Sequence, residues 1–346
     1  MTDALRFPAE WEPQSGVLIA WPHADTDWAE RLAEVEETYI ALVAAITRFQ
    51  PVVICVADDD VETYAEMRLR SNRVDMDRVR FIPAPYDDTW LRDSGPITLA
   101  RNDGGFQLLD FRFTGWGGKF EASRDDQLVG VLHAAGLFKP GTEVRSLPFA
   151  LEGGAIDTDG AGTLLTTWRC LHERHPARDR ASLGADMAQW MRQERVLWLD
   201  HGYLEGDDTD AHIDTLARFA STDSIVYQDC DDPQDTHYAE LQAMGAELAA
   251  LRTADGLPYR LFPLPWPRPV RDGERRLAAS YANFLVINGA VLMPAYGDDA
   301  DEAARSVLAR AFPDREIVQV PCRSLIWQNG SLHCITMQLP AGLLER

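Results

Sequence analysis

The sequence feature that most constrains the fold is a succession of elements that recurs along the 346 residues. Each copy combines a helical pattern, in which apolar residues return every three or four positions, with short apolar strands. The first helical pattern opens at Asp27, where Glu30 three residues later predicts a capping box. Strands are predicted at 16–22, 51–56, 80–85 and 96–99, and helices at 27–46, 122–138, 178–195, 234–252 and 299–312.

Each helical pattern is followed by a strand, a polar hairpin turn and a second strand, and these polar turns recur about 50 to 70 residues apart. They carry Asp93, Glu152, His212, Asn283 and Cys334. Five such units closed into a ring would direct all five turns to one axis, as in a propeller-like array. An open α/β sheet with unrelated loops fits the same pattern. Because no Gly/Ser linker or block of like charge divides the chain, we expect one α/β domain spanning 1–346.

The charge balance restricts the partners of this chain. Lys and Arg number 33 against 55 Asp and Glu, which gives a net charge of −22. Such a field repels nucleic acid and anionic lipid and attracts small cations. We therefore expect neither nucleic acid nor a membrane as a partner, although solubility alone also explains many acidic proteins.

The first residues and the cysteines predict a cytoplasmic protein. The first residues lack the basic and apolar regions of a signal peptide, and no apolar run approaches the ~18 residues of a membrane span. Five cysteines without paired spacing argue against a disulfide framework and suit a reducing compartment. The sequence has no CxxC, HExxH or phosphate-loop glycine pattern.

Cys334 is the central candidate residue of the site and lies in the stretch 327–340. Asn329-Gly330 predicts a tight turn because both residue types tolerate positive φ. The mostly apolar run 332–339 predicts a buried strand, with Cys334 near its start. A thiol in that place is rigid and yet reachable from one end of a sheet. Taken alone, Cys334 fits equally the usual habit of free cysteine as a small buried hydrophobe.

Two acidic residues precede predicted turns. Asp93 stands just before Ser-Gly-Pro, where a sharp turn exposes a side chain, although an Asp that stabilises the turn or pairs with Arg92 fits as well. Glu152 is followed by two glycines, which let backbone approach a ligand closely. The span from Asp157 starts like a calcium loop, but Trp168 occupies the position of the required acid.

The run from Gly206 to Phe219 is the most informative one. If 211–219 is a strand, His212 and Asp214 project from one face, because side chains alternate. Phosphate binding is implausible beside so many acids, which leaves a metal site or a site for an organic cation. The lack of a second well-placed His and of a closed ligand set weakens the metal interpretation.

Acids, a His and a Cys facing one pocket suit attack on a guanidinium. That group is a planar cation whose N–H donors match two carboxylates. It is a poor electrophile until it is held, so a thiolate is a better nucleophile than a hydroxyl. A His protonates the departing ammonia and then activates water, both near neutral pH.

Several motifs stand in order along almost the whole chain: Phe7-Pro-Ala-Glu-Trp, Trp90-Leu-Arg-Asp-Ser-Gly-Pro, Gly115-Trp-Gly-Gly-Lys, Glu152-Gly-Gly, Gly206-Asp-Asp-Thr-Asp-Ala-His-Ile-Asp, Tyr281-Ala-Asn-Phe-Leu-Val-Ile-Asn-Gly and Leu332-His-Cys-Ile-Thr. They resemble the motifs of agmatine deiminases, in the bacterial peptidyl-arginine-deiminase branch of the guanidine-modifying superfamily. The resemblance implies a five-bladed α/β propeller (pentein) without metal or cofactor, a small cationic guanidine substrate and a possible homodimer.

The resemblance also implies roles for single residues. Cys334 is similar to the nucleophile that forms a covalent amidino-cysteine intermediate, and His212 to the acid/base. Asp93 and Asp214 correspond to the acids that clamp the guanidinium, and Glu152 to the one that orients both guanidinium and His.

The distal half of the pocket follows in the same way. Asp208 is similar to the acid that receives the distal ammonium of agmatine, and Trp90 to a residue that lines the pocket. Trp116 belongs to a matching motif, but the sequence assigns it no contact.

The chain departs from the family pattern at three places, which affect the exact substrate more than the reaction. Ala211 stands where a Gly is usual, 329–332 replaces a more glycine-rich run, and 166–176 departs from an acidic, Asn-rich continuation. Cys170 lies in the last of these and is interpreted as structural.

We expect hydrolysis of agmatine to N-carbamoylputrescine and ammonia. Deimination of free or peptide-bound arginine is the alternative within the same chemistry, and it needs a cationic partner for the carboxylate. A non-catalytic propeller that binds a polyamine or a partner, or a metalloenzyme, would be a different class of protein.

Overall fold

The computed structural model describes residues 5–345, and they form short strands alternating with helices. The strands are β1 Leu5–Arg6, β2 Gln14–Ala20, β3 Val52–Val56, β4 Val79–Pro83, β5 Ile97–Arg101, β6 Phe106–Arg112, β7 Glu143–Ala150, β8 Ile156–Thr158, β9 Thr163–Thr167, β10 Arg195–Leu199, β11 Ala217–Ser221, β12 Ser224–Gln228, β13 Arg260–Leu264, β14 Arg271–Asp272, β15 Arg275–Arg276, β16 Leu285–Ile287, β17 Ala290–Ala295, β18 Glu316–Pro321 and β19 Met337–Pro340. The helices are α1 Leu32–Thr47, α2 Asp59–Ser71, α3 Leu91–Ser94, α4 Gly115–Gly118, α5 Leu128–Ala134, α6 Trp168–Arg174, α7 Arg180–Met191, α8 Tyr238–Ala250 and α9 Asp301–Ala311.

Five sheets of the described chain share one topology. In each, two strands pair antiparallel and a third joins in parallel: β19-β2-β3, β5-β6-β7, β8-β9-β10, β11-β12-β13 and β16-β17-β18. The parallel strand follows a helical crossover, because parallel neighbours cannot be joined by a tight turn. The recurrence predicted from the sequence is therefore present, and the α/β class is confirmed.

The described residues group into two compact units. The Cys334 unit comprises 5, 12–153 and 333–345, and the His212 unit comprises 6–11 and 154–332. The Cys334 unit contains β19-β2-β3, extended by β4, and β5-β6-β7; the His212 unit contains the other three sheets of the shared topology and the hairpin β14-β15. The prediction of a single domain over 1–346 stays a prediction.

Each unit has its own apolar core. In the Cys334 unit, side chains from β2, β3, β6, α5 and β19 pack together, among them Leu18, Val53 and Leu132. In the His212 unit, Ile213, just before β11, and Met244 of α8 belong to a cluster with side chains of β11 and β12. The parallel strand β3 is buried along its whole length, which explains its continuous apolar run.

The predicted helices are confirmed, with differences at their ends. The first begins at Leu32 after a 3-10 turn, and Trp28 caps that turn without a side-chain hydrogen bond, so the predicted capping box is wrong. Helix α2, which the sequence analysis did not predict, is capped by Asp58, whose side chain accepts from Val61 N at 2.8 Å. None of the helices in residues 5–345 has the length and the apolar run that a membrane span requires.

Candidate functional site

The five residues assigned to polar turns occupy equivalent places. Each lies in the segment that leads into the first strand of a sheet: Asp93 before β5, Glu152 before β8, His212 before β11, Asn283 before β16 and Cys334 before β19. The prediction that these residues sit on turns between two paired strands is wrong in this detail, because the segments connect the last strand of one sheet to the first strand of another. Such connections carry side chains that the strand ladder does not constrain.

In the Cys334 unit, Asp93 lies on the one-turn helix α3, which follows Trp90 as its N-cap residue. Both side chains are buried, Asp93 with 5% of its surface exposed. The indole Nε1 of Trp116 donates a hydrogen bond to Asp93 Oδ2 at 2.9 Å. Trp116 thus has the contact that the sequence could not assign.

The conformation of the Gly-Trp-Gly-Gly run explains how Trp116 reaches Asp93. Gly115, Trp116 and Gly117 all have positive φ, at 61°, 56° and 85°. Non-glycine residues rarely adopt this conformation, so the flanking glycines are needed for the tight turn. The Trp116 ring packs edge-on against Phe113 and Phe120.

Arg92 connects the Asp93 segment to the Cys334 segment. Its backbone N–H donates to the carbonyl of Cys334 at 3.1 Å. Its guanidinium donates to His333 O at 3.4 Å and to Gln338 Oε1 at 2.7 Å. The sequence pattern predicts Arg92 only as a partner for Asp93, so this link is visible only in the structure.

Gly153 brings the Glu152 segment to the same place. A Cβ at Gly153 would lie 2.1 Å from the Arg92 carbonyl oxygen, so only glycine permits this approach. The neighbouring Glu152 carboxylate is 1% exposed. The segments of Asp93, Glu152 and Cys334 therefore converge within the Cys334 unit. Arg92, in the Asp93 segment, contacts the other two.

Cys334 itself is 4% exposed and lies in a turn before β19. The turn is closed by Thr336, whose N–H and hydroxyl both donate to His333 O, at 3.0 and 2.9 Å. The predicted strand 332–339 is thus wrong in its first half, because these turn hydrogen bonds replace a strand ladder there.

In the His212 unit, the loop before β11 is shaped by its own side chains. Asp207 accepts hydrogen bonds from Thr209 N at 3.0 Å and from Ala211 N at 2.8 Å. Asp210 and Ala211 have φ of 67° and 71°, in the left-handed region. The usual Gly at position 211 would relieve that conformation, whereas this chain holds it through the loop hydrogen bonds.

His212 and Asp214 are both fully buried, but they do not alternate along a strand. Residues 213–215 form a 3-10 turn and β11 begins only at Ala217, so the strand predicted from 211 is wrong at its start. Thr215 N–H and hydroxyl donate to His212 O and close the turn. Asn283, at the equivalent place of another sheet, donates through Nδ2 to Asp214 O at 3.3 Å.

A buried ion cluster supports this half of the site. Arg218 donates to Glu10 Oε2 at 2.8 Å and lies 3.5 Å from Asp157 Oδ1. Burial opposes the charge of Arg218, but the carboxylates of Glu10, Asp157 and Asp214 outweigh it and raise the pKa of Arg218. Burial also raises the pKa of Asp157 to about 6, against the lowering effect of Arg218. The role of Glu10 was visible in the sequence only as part of a matching motif.

Asp208 is partly exposed and accepts a hydrogen bond from Asn329 Nδ2 at 2.8 Å. Asn329 has the positive φ predicted for the tight turn, at 74°. Asp208 and Asn329 belong to the same unit although they are far apart in the sequence.

The cysteines of the described chain form no disulfide with one another, and all of them are buried. Burial raises the pKa of the Cys55 and Cys322 thiols far above the usual range and that of Cys230 to about 11. Cys170 Sγ and a ring nitrogen of His212 lie within 4.8 Å of each other. The His212 unit thus offers here two of the three or four ligands of a zinc site.

The structure therefore divides the predicted site residues between the units. Trp90, Asp93, Glu152 and Cys334 lie in the Cys334 unit, and Asp208, His212 and Asp214 lie in the His212 unit.

Comparisons with known proteins cover almost the whole chain. A family model described as Porphyromonas-type peptidyl-arginine deiminase matches residues 6–340. An agmatine deiminase of Stutzerimonas stutzeri (strain A1501) is 34% identical over 368 residues, with 99% of this chain and 97% of the relative covered.

Solved structures agree with this match. A Cys-to-Ser variant of C. jejuni agmatine deiminase with substrate bound is 34% identical, with a TM-score of 0.90 and coverage of 98% of this chain and 97% of that one. A Porphyromonas gingivalis protein described provisionally as an arginine deiminase is 45% identical, with a TM-score of 0.90 and coverage of 99% and 100%. The resemblance stated from the motifs is confirmed, and the chain belongs to the Porphyromonas-type peptidyl-arginine deiminase family.

Proposed function

We propose that this protein hydrolyses agmatine to N-carbamoylputrescine and ammonia. The observation that carries the proposal is the burial of acid, imidazole and thiol groups at equivalent places, just before the first strands of the recurring sheets. Burial of ionisable groups costs free energy, so their concentration at one place in the repeat favours a catalytic role. Relatives similar over nearly the full chain carry the name agmatine deiminase.

Recognition of the substrate follows from its two cationic ends. Asp93 and Asp214 accept hydrogen bonds from the planar guanidinium, which donates to two carboxylates at once. Glu152 orients the guanidinium and His212. Asp208 receives the ammonium at the far end.

In the first half of the reaction, the Cys334 thiolate attacks the central guanidinium carbon and forms a C–S bond. The C–N bond to one terminal nitrogen then breaks, and His212 protonates that nitrogen so that it leaves as ammonia. The product of this half is an amidino-thioether on Cys334.

In the second half, His212 takes a proton from water, whose oxygen attacks the same carbon. The C–S bond breaks, the thiolate of Cys334 is restored and the hydroxyl of the adduct loses its proton to solvent, so that the carbon becomes the ureido carbonyl of N-carbamoylputrescine. One water is consumed and one ammonia is released for each agmatine.

For the fold, we propose that the five sheets are blades of one five-bladed propeller domain. Their shared topology supports this, as does the pairing of β19 with β2, which joins the two ends of the chain in one sheet. One domain should unfold in a single transition by circular dichroism and by activity, and two separated transitions would contradict it. The cysteines, none of which is in a disulfide, favour a cytoplasmic setting. Light scattering would test whether the enzyme is a homodimer.

The experiment is a substrate panel with the Asp208→Asn variant. A charge-assisted contact to the ammonium is worth ~1.5–3 kcal/mol, so the variant should lose roughly one to two orders of magnitude in kcat/KM for agmatine. Ammonia release from agmatine, L-arginine and an arginine peptide identifies the tail that the enzyme accepts. Preference for arginine over agmatine would assign the chain the alternative activity.

Asp255→Asn is the matched control, because it removes the same unit of charge from an exposed position. It should leave kcat/KM within about twofold of wild type, since exposed charges are screened by salt. If Asp208→Asn behaved like this control, Asp208 would not bind the amine. If a haloacetamidine failed to label Cys334, or agmatine failed to protect it, a non-catalytic binding protein would be favoured.

A further inference from the structure

Three polar side chains of the His212 unit form a continuous hydrogen-bonded series that ends on Asp208. Arg275 Nη1 donates to Asn329 Oδ1 at 3.2 Å, and Asn329 Nδ2 donates to Asp208 Oδ2 at 2.8 Å. Arg275 lies on the hairpin β14-β15, and Asn329 in the loop after β18. The series therefore connects three separate segments of the chain.

Arg275 fixes which way the Asn329 amide points. An amide turned by 180° would place its NH₂ against the Arg275 donor and its oxygen against the Asp208 carboxylate. Both contacts would be repulsive, so Nδ2 must face Asp208. Asp208 therefore accepts a hydrogen bond from an amide group whose orientation Arg275 fixes.

The two other acids of the same loop have different tasks. Asp207 accepts hydrogen bonds from two backbone N–H groups of the loop, and Asp210 pairs with the buried guanidinium of Arg174 at 2.6 Å. Asn329 is neutral, so its bond orients Asp208 while leaving the negative charge of that carboxylate in place. A fixed carboxylate binds a cation better than a mobile one, because less side-chain entropy is lost.

We propose that Asn329, held by Arg275, is a positioning residue that makes the enzyme specific for guanidines with a cationic tail. The inference rests on the proposed function, because it assigns to Asp208 the task of receiving the tail ammonium. Asn329 lies in a segment where this chain departs from the family pattern. The hydrogen-bonded series from Arg275 to Asp208 therefore depends on a residue that the family pattern does not specify.

The loop that carries Asn329 is itself anchored to the hairpin. Arg275 also donates to Trp327 O, and Trp327 Nε1 donates to Asp272 Oδ2 at 2.7 Å. Asn is one of the few residue types that tolerate the φ of 74° found at position 329. Glycine tolerates it as well, which makes Asn329→Gly a clean removal of the amide group.

The test compares agmatine with n-butylguanidine, which has the same four-carbon chain but no amine. Asn329→Gly should raise the KM for agmatine about tenfold and leave kcat within about twofold, because the lost contact orients a binding group and not a reacting one. For n-butylguanidine, kcat/KM should stay within about twofold. Arg275→Gln should lower the preference for agmatine in the same sense, by about threefold.

Arg271→Gln is the matched control, because Arg271 lies on the same hairpin and donates to Glu274 O. It should leave kcat/KM unchanged for both agmatine and n-butylguanidine. Equal losses for both substrates in Asn329→Gly and Arg275→Gln, or no change for either, would overturn the inference. Wild-type enzyme without activity on agmatine would refute the proposed function as well, whereas wild-type activity with an unaltered agmatine preference in both variants would refute only this inference.

Discussion

Replacement of Trp116 by Phe tests whether the acid that clamps the guanidinium depends on a neighbouring indole. The change removes the Nε1 donor to Asp93 Oδ2, which lies at 2.9 Å, and keeps an aromatic ring between Phe113 and Phe120. Because Asp93 is only 5% exposed, water cannot easily replace the lost donor.

The size of the effect follows from the charge on the acceptor. A hydrogen bond to a charged group contributes ~1.5–3 kcal/mol, and each 1.4 kcal/mol corresponds to a factor of ten. We therefore expect Trp116→Phe to lower kcat/KM for agmatine by about 10- to 150-fold in a continuous assay of ammonia release. The variant should stay folded, with only a small fall in its melting temperature, because the ring stays buried.

Trp198→Phe is the control, since Trp198 lies in β10, packs edge-on against Trp168 and has the Arg180 guanidinium over its ring. It should leave kcat/KM within about twofold of wild type. Trp116→Phe with normal kcat/KM and a lowered melting temperature would refute the reasoning, because Trp116 would then support packing alone.

The remaining predictions concern the nucleophile, the buried charges and metal. Cys334→Ser should abolish both ammonia release and covalent haloacetamidine labelling measured by mass spectrometry, whereas Cys170→Ser should keep the label. Burial raises the pKa of Asp88 to about 7, so the folded state favours the protonated acid and loses stability as pH rises from about 4 through about 7. The free energy of unfolding of Asp88→Asn should therefore increasingly exceed that of wild type over that range, by at most about 4 kcal/mol, and a pH-independent difference would contradict it. Arg218→Met should lower the free energy of unfolding in urea by about 3–5 kcal/mol, because Glu10 stays buried without its cation; a change under about 1 kcal/mol would argue against the ion cluster. Exhaustive chelation should leave activity unchanged, and a loss restored by zinc would favour a metalloenzyme.

Local patterns predicted the elements well because they depend on nearby residues. Apolar spacing located α1, α7, α8 and α9 to within about five residues, since α7, α8 and α9 each bury apolar residues at helical spacing. Helix α2 escaped prediction because it has few buried residues, with Ala65 and Leu69 facing inward.

The sequence predicted the residue types of the candidate site, but not the hydrogen bonds and close contacts that hold those residues in place. The order of motifs along the chain selected Cys334 and His212, since the chemistry of guanidine hydrolysis needs a thiol and an imidazole. The places where strand predictions failed are the segments before β11 and β19, where turn hydrogen bonds override the apolar pattern.

The sequence by itself determined the α/β class, the recurrence of its elements and the acidic, thiol-containing chemistry of the candidate site. Only the tertiary structure decided that Trp116 bonds Asp93, that Arg92 joins the Cys334 segment and that Asn329 directs Asp208. These contacts join residues far apart in the chain, and their formation depends on positive φ angles and close backbone approaches. No local pattern encodes such contacts, because they exist only once the sheets have packed.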